Sequence, residues 1–438
     1  MMRSLKFPKI VNSDEISEDT IAKFIPRMQN QLDAIKNDVL SIIEEVKLSG
    51  NKAILKFSEK YDGVKLNEKE LKVTEEEINL AYKIIDLELL ESFQYAKKNL
   101  LKFHYAQKKE DWSIEIEQGV QAGQIYRPIE SVGIYIPSGR AIYPSTVLMA
   151  ATPAYVAGVK DIVICTPPRK DKTIAPEIIV AANEFGIKEI YKIGGVQAIA
   201  AMAFGTSIIP KVQKVIGPGN KWVNVAKQIL SNIIAIDTPA GPSEILIIAD
   251  NTAKPDYVIS DLVSQIEHDP DNIGILVTNS KDLIETVKKE LNLYIKGIQR
   301  KAIIRAALEN NSLIIKAVNM EDCIRISNLI APEHLEILIE NPNEIIPNIN
   351  NAGAIFLGPY SPVTLGDYCA GTNHILPTGG NAKKYSGLNY YDFVKIIDIL
   401  NCTKEGFVTL SKTASKIAEF EKLYAHKKSI EERLKNIN

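Results

Sequence analysis

Histidine is scarce in this chain, five residues in 438, and tryptophan is scarcer still at two. Cysteine is also rare. Cys165, Cys323, Cys369 and Cys402 stand far apart, with neither the paired spacing of a zinc ribbon nor the density of a disulfide framework, so they read as reduced thiols. There is no excess of positive charge: 52 Lys and Arg against 54 Asp and Glu leave a formal net charge of −2, which argues against nucleic acid or an acidic membrane surface as the main partner. No apolar run approaches the ~20 residues of a membrane-spanning helix, and the stretch from Met1 to Glu15 lacks the continuous apolar region of a signal peptide. A small molecule is the partner to expect, and the cytoplasm the compartment.

What is present is an ordinary globular composition, 45% hydrophobic and 24% charged, at a length that suggests two or three domains with sizeable cores. From Asp14 to about Gln107 the pattern is helical, with Ile35, Val39, Ile42, Ile43 and Val46 recurring at three- and four-residue steps among Lys and Glu. Beyond Arg127 short β-branched runs alternate with helical stretches: Val132–Ile136, Ile162–Cys165, Glu189–Ile193, Lys214–Ile216 and Ile233–Ile236. A second set follows at Glu244–Ala249, Gly274–Thr278, Ser312–Ala317, Leu335–Leu338 and Ala354–Phe356. Strands alternating with helices predict an α/β protein with two doubly wound, Rossmann-like parallel layers. Phe407, Ala414, Ile417, Phe420 and Leu423 predict a helical C-terminal tail.

With so few imidazoles, their settings carry weight. Pro255 and Asp256 open a predicted helix that ends near Asp269-Pro270 and carries Gln265 and His268 on one face of its last turn. An amide oxygen and an imidazole nitrogen there can both ligate zinc, and Asp367, in a turn-rich stretch that also contains His374, offers the carboxylate for three protein ligands. His268 reads equally as a cap favoured by the helix dipole. Glu333 and His334 follow Pro332 at the start of a strand, a position where α/β folds are expected to place ligand-facing residues. Such a pair suits proton transfer, worth typically ~100- to 10,000-fold in rate, or is a solvated loop pair. Gly194-Gly195-Val196-Gln197 and Gly217-Pro218-Gly219-Asn220 each follow a strand and precede a helix. Both can offer helix N-termini to phosphate or form tight turns and a cap, and neither has the usual dinucleotide glycine spacing. Ser243 lies in the Thr238–Glu244 hinge, as a crevice hydroxyl or a turn residue. Cys165 and Cys369 are candidates for a thiohemiacetal or, more simply, for packing.

Long motifs in one order then identify a resemblance. Tyr135-Ile136-Pro137, Tyr143-Pro144-Ser145, Cys165-Thr166-Pro167-Pro168, Gly194–Ala201, Gly217–Asn220, Pro239–Glu244, Ser264–His268, Ala331–Leu335, Gly366-Asp367-Tyr368, Asn373–Thr378, Ser386-Gly387-Leu388 and Glu421 with Ala425-His426 together resemble the histidinol dehydrogenase family, from about Arg127 to His426. The resemblance implies an aldehyde-dehydrogenase-like pair of α/β domains, one inserted in the other: an N-terminal segment 1–24, a first domain from 25–130 and 243–380, an inserted domain 131–242, and a tail 381–438 reaching the partner subunit.

It further implies one zinc ion per subunit held by Gln265, His268, Asp367 and His426, the last from the partner of a domain-swapped homodimer. Glu333 and His334 would be the general bases. Ser243 and Glu421 would contact L-histidinol together with Gln265, His268, His334, Asp367 and His426, and Tyr135, Gln197 and Asn220 would contact NAD. The implied reaction is two oxidations in one pocket, from L-histidinol through L-histidinal to L-histidine, the final steps of histidine biosynthesis. His334 would take the hydroxyl proton, and Glu333 would activate water for the second step. Histidinol's imidazole and amine are donors that suit zinc, so the metal would mainly position the substrate, in a six-coordinate shell. Ser138-Gly139-Arg140 departs from the Gly-Gly-small residue pattern of many members, which bears on the cofactor loop. A zinc hydrolase could use the same histidine and carboxylate elements without NAD, and a metabolite-binding protein would need neither Glu333 nor His334.

Overall fold

The computed structural model describes residues 8–25, 29–138, 141–238 and 241–437, with two compact units. The first joins Met1–Ala106 to Glu130–Asp392, and the second joins Gln107–Ile129 to Phe393–Asn438. The second unit thus takes residues 107–129 out of the segment expected to belong with 243–380. Gly139 and Arg140, the family departure, and Pro239 and Ala240 of the hinge motif lie outside the described residues.

The strands, in chain order, are β1 Lys9–Asn12, β2 Trp112–Glu117, β3 Val120–Pro128, β4 Ser131–Tyr135, β5 Asp161–Thr166, β6 Glu189–Lys192, β7 Lys214–Ile216, β8 Ala235–Ile236, β9 Glu244–Ala249, β10 Ile273–Thr278, β11 Leu313–Lys316, β12 His334–Leu338, β13 Ala354–Leu357 and β14 Val394–Cys402. In the first unit β4 to β8 form a five-stranded sheet of order β6-β5-β4-β7-β8, every pair parallel. A six-stranded sheet of order β1-β11-β10-β9-β12-β13 is likewise parallel throughout. Both are covered on two faces, which is why β9 can read Glu-Ile-Leu-Ile-Ile-Ala with every residue buried and without polar alternation. The α/β expectation and its ten strands are all present, with β1 an addition that the sequence pattern did not mark.

The helix Gln29–Ser49 buries Ile35, Val39, Ile42, Ile43 and Val46 in one core with the helices Gly195–Phe204 and Lys221–Leu230. The helical N-terminal region therefore covers a face of the five-stranded sheet. Separate cores flank the six-stranded sheet, one with Ile245, Ile247 and Ile259 and the other with Leu246, Ile248 and Ile326.

The second unit holds an antiparallel sheet of order β14-β3-β2 and the helices Lys404–Phe420 and Tyr424–Lys435. The helical reading holds for 404–435, whereas the segment before it is β14, paired with β3 from Val394↔Pro128 to Cys402↔Val120. Among the described residues no helix is long and apolar enough to cross a membrane.

Candidate functional site

The Glu333-His334 pair is placed by a sharp turn. The helix Met320–Ile330 ends at Ala331 in the left-handed region, φ 52°, and Pro332 then leads into β12. Gly353 donates its N–H to the Pro332 carbonyl at 2.9 Å, and a Cβ there would stand 2.5 Å from the Glu333 carbonyl oxygen, so only glycine lets the two chains approach this closely. Glu333 Oε2 accepts the backbone N–H of Glu244 at 2.9 Å. His334 Nδ1 lies 3.1 Å from the Glu244 carbonyl oxygen and 3.7 Å from Glu333 Oε2. The first contact makes Nδ1 the protonated nitrogen of a neutral imidazole and leaves Nε2 as a base. Nε2 is buried and has no hydrogen-bond partner. Asp367 Oδ1, 3.5 Å away, is its electrostatic neighbour rather than a good acceptor.

Gln265 lies in the last turn of the helix Pro255–Ile266, with His268 two residues beyond its end rather than on it, and Gln265 Nε2 lies 3.4 Å from Asp367 Oδ2. Asn272 ties this corner to β9: its Nδ2 donates to the Gln265 carbonyl at 2.8 Å, and its Oδ1 accepts the Ser243 N–H at 3.1 Å. Burial pushes His268 down, and Asp367, Arg300 and His334 all act on it electrostatically. Burial thereby favours its neutral form against the pull of Glu267 and Asp367, the form in which imidazole ligates a metal.

Electrostatics divides the group. Burial drives the Glu333 carboxyl up to about 8, against the pull of His334 and the Glu244 N–H. For His334 burial opposes protonation, but Glu333 and Asp367 outweigh it and lift the imidazole to about 9. Burial works to raise Asp367 too, yet His334, His374 and Gln265 hold its carboxyl below the ordinary value. Imidazole, carboxylate and amide oxygen form a donor set that fits zinc. Among the described residues no cluster of three or more His, Cys, Asp and Glu forms at metal-holding distance. The expected set supplies only two such groups in this unit, His268 and Asp367. His426 and Glu421 belong to the second unit, at the exposed junction of its two helices, where Lys422 adopts φ 60°.

The other expected residues meet elsewhere. Tyr135 ends β4, Gln197 follows β6 and Asn220 follows β7, and all three line one cavity of ≈ 1070 Å³. It lies at the carboxyl edge of the five-stranded sheet, where the chain turns from β6 back to β7 on the other side of β4, the switch point at which doubly wound folds take their ligands. The Tyr135 hydroxyl accepts the Gly195 N–H at 3.1 Å, and the Gln197 Nε2 is buried without a partner. Asn220 also caps its helix, Oδ1 accepting from Trp222 and Val223 at 3.0 and 3.2 Å.

One expectation needs correction. Glu333 and His334 were placed by the rule for ligand-facing strand ends, but that rule concerns carboxyl ends, and here Ser243, Asn272, Glu333 and Gly353 all precede their strands at the amino edge of the six-stranded sheet. Cys165 lies on β5, wholly buried, its thiol pushed well up by that burial, so packing is its role. Two participants carry no assignment from the sequence. Glu244 contacts Glu333 and His334 through its backbone, which no side-chain pattern encodes. His374 sits with Nδ1 2.9 Å from the Asp367 carbonyl and Nε2 3.4 Å from Thr146 Oγ1. The sequence marks it by the rarity of histidine and by the turn-rich stretch it shares with Asp367, without giving it a role of its own.

Known proteins resemble this chain over nearly its whole length. A family profile described as histidinol dehydrogenase matches residues 25–434. The chain is 44% identical to the histidinol dehydrogenase of Methanothermobacter thermautotrophicus, over 95% of this chain and 97% of that one. It is 47% identical to that of Caldanaerobacter subterraneus subsp. tengcongensis, over 98% and 96%. A crystal structure of histidinol dehydrogenase from Elizabethkingia anophelis superposes with a TM-score of 0.90 at 43% identity, covering 92% of this chain and 93% of that one.

Proposed function

Because the chain belongs to the histidinol dehydrogenase family, oxidoreductases of histidine biosynthesis, we propose that it oxidises L-histidinol through L-histidinal to L-histidine with zinc and NAD. One observation carries the reading: a buried carboxyl and imidazole, Glu333 and His334, stand side by side against Asp367 and Gln265. Gln265, His268 and Asp367 would hold the zinc ion, and Tyr135, Gln197 and Asn220 the NAD. When bound, the metal supplies a Lewis-acidic anchor for the substrate's nitrogens and the nicotinamide supplies the hydride acceptor.

The residues do the proton work. His334 takes the hydroxyl proton at Nε2, the nitrogen left without a partner, while the Glu244 carbonyl fixes the tautomer. Asp367 helps hold the imidazolium, so engagement of that carboxylate by a cation favours the neutral base. Burial lifts the Glu333 carboxyl to about 8, so its ionised form is a stronger base than an exposed carboxylate, and that form draws the proton from the water that adds to the aldehyde. Ser243, with its N–H fixed by Asn272, orients substrate at the same edge.

We further propose a homodimer in which Glu421 and His426 serve the partner's site. Both are exposed, in a unit that also exposes Ile114, Ile116, Ile396, Ile399, Leu400 and Phe420, the last at 87%, apolar side chains that a second copy would cover. A cytoplasmic setting accords with four free cysteines.

The experiment is NADH formed from limiting histidinol with excess NAD, before and after chelation and zinc restoration. Two NADH per histidinol, lost on chelation and regained with zinc, are expected. No NADH from a folded, zinc-loaded sample overturns the reading in favour of the hydrolase. Glu333→Gln should keep part of the alcohol oxidation and lose the aldehyde step by roughly 100-fold or more, seen as one NADH per histidinol. Equal loss of both steps refutes the division of labour.

A further inference from the structure

One wall of the cavity at the five-stranded sheet comes from outside that sheet. Tyr61 and Asp62 close the turn Ser58–Asp62 that follows the N-terminal helices, and both line the cavity. The Asp62 backbone is pinned there, since Lys170 Nζ donates to its carbonyl at 2.7 Å. The next residue, Gly63, has φ +65°, and a Cβ on it would stand 2.5 Å from the same Nζ, so the turn is built to admit that lysine.

The side chain of Asp62 is wedged against the glycine turn that opens the helix Gly195–Phe204. Its Oδ1 lies 3.3 Å from where a Gly194 Cβ would be, and its charge is felt at the Tyr135 hydroxyl, which holds the Gly195 N–H. Oδ2 is shielded from solvent and has no hydrogen-bond partner. Burial raises this carboxyl to about 6 against the attraction of Lys170, so it is still mostly ionised at neutral pH.

A shielded carboxylate oxygen without a donor is costly, and evolution keeps such groups where a ligand brings one. A dinucleotide has many acceptors and few donors. Its phosphates supply none, while a ribose diol supplies two adjacent O–H groups, the arrangement that suits one carboxylate. Lys170 on this wall is bonded to the Asp62 carbonyl, and Arg169 stands 3.9 Å from Glu177, beyond hydrogen-bond distance. What disfavours an additional phosphate is the Asp62 carboxylate itself, whose shielded oxygen can accept from a diol and repels a second anion.

We infer that Asp62 accepts the ribose diol of the bound dinucleotide and excludes its 2′-phosphorylated form, so that a residue of the N-terminal helical region sets the preference for NAD over NADP. The inference rests on the reading of this cavity as the NAD site, and the test separates the two. Binding of NAD and of NADP to the full-length protein is measured by calorimetry and by quenching of Trp222, which lines the same cavity, for the unaltered chain, Asp62→Asn and Asp62→Ala.

The unaltered chain is expected to prefer NAD strongly. Asp62→Asn should weaken NAD by about tenfold or more, the worth of charge-assisted hydrogen bonds, and Asp62→Ala should in addition narrow the NAD/NADP ratio by at least about tenfold. If both variants keep the original ratio, whether because neither cofactor is affected or because both weaken equally through a loosened Lys170 contact, the assignment of Asp62 is overturned while the NAD site stands. If the unaltered chain binds neither nucleotide, the NAD reading itself falls and takes this inference with it.

Discussion

Gly217 stands at the turn that carries Asn220 into the cavity, and its peptide is held from both sides by one buried ion pair. Asp237 Oδ2 accepts the Gly217 N–H at 2.7 Å, Lys227 Nζ donates to the Gly217 carbonyl at 3.0 Å, and the two side chains pair with each other. They are 2% and 5% exposed. Gly217 itself is irreplaceable, with φ +115° and a would-be Cβ 2.1 Å from the Tyr135 carbonyl oxygen. Lys227→Met keeps the length of the side chain and removes its charge, leaving the Asp237 carboxylate buried with a single donor. Breaking one side of a buried pair costs about 3–5 kcal/mol. With ~2 cal/mol/K of unfolding entropy per residue, a unit of this size should melt roughly 4–7 °C lower. Asp237→Asn on top of Lys227→Met removes the orphaned charge, so the double variant should be more stable than the sum of the single losses predicts, by about 1–3 kcal/mol. Differential scanning calorimetry of the four proteins, with NAD titrations alongside, checks this; NAD should weaken with Lys227→Met as the turn loses its hold. A melting temperature lowered by less than about 1 °C, or strictly additive losses, would refute the clamp.

Asp367→Ala should lose zinc and raise the histidinol KM by about tenfold or more; metal analysis showing undiminished zinc would remove Asp367 from the ligand set. Gly353→Ala puts a Cβ 2.5 Å from the Glu333 carbonyl oxygen and should cost up to ~100-fold in kcat by displacing the base; steady-state rates equal to those of the unaltered enzyme, with the fold intact, would show that the approach tolerates it. Burial and Asp261 push the Glu336 carboxyl up to about 9, and burial raises Asp261 as well. The folded chain therefore keeps protons that the unfolded chain releases above the ordinary carboxyl range, so stability should fall as pH rises from about 4.5 toward about 9. Glu336→Gln should flatten that slope in urea unfolding at several pH values, and an unchanged slope would free the pair of this role.

Much of the first unit is legible because its physics is local. Runs such as Glu244–Ala249 are buried on both faces, so composition alone marks them as strands of a covered parallel sheet. The second unit is not legible this way. In β14, Ile396, Ile397, Ile399 and Leu400 fall at steps that suit a helix, and all four are exposed. What makes the segment a strand is pairing along its whole length with β3, far back in the chain, and no window of sequence contains that partner. β2 does alternate, Ile114 and Ile116 with Ser113, Glu115 and Glu117, but it too buries neither face, so no core demands it.

Strand polarity at the site has a similar cause, and there the connectivity explains the result. A strand's sequence shows where it starts and not which edge of the sheet will bind. The chain leaves β8 at a carboxyl end and arrives at β9 at an amino end, with only Asp237–Ser243 between, a reach of at most roughly 25 Å. When a short connector joins two parallel sheets, the carboxyl edge of one must lie near the amino edge of the other. The five-stranded sheet keeps its cavity at the ordinary carboxyl edge, so the six-stranded sheet can meet whatever binds there only with its amino edge. That is where Ser243, Glu333 and His334 stand, at the strand starts, so the carboxyl-end rule, which treats each sheet separately, cannot be the reason for their position.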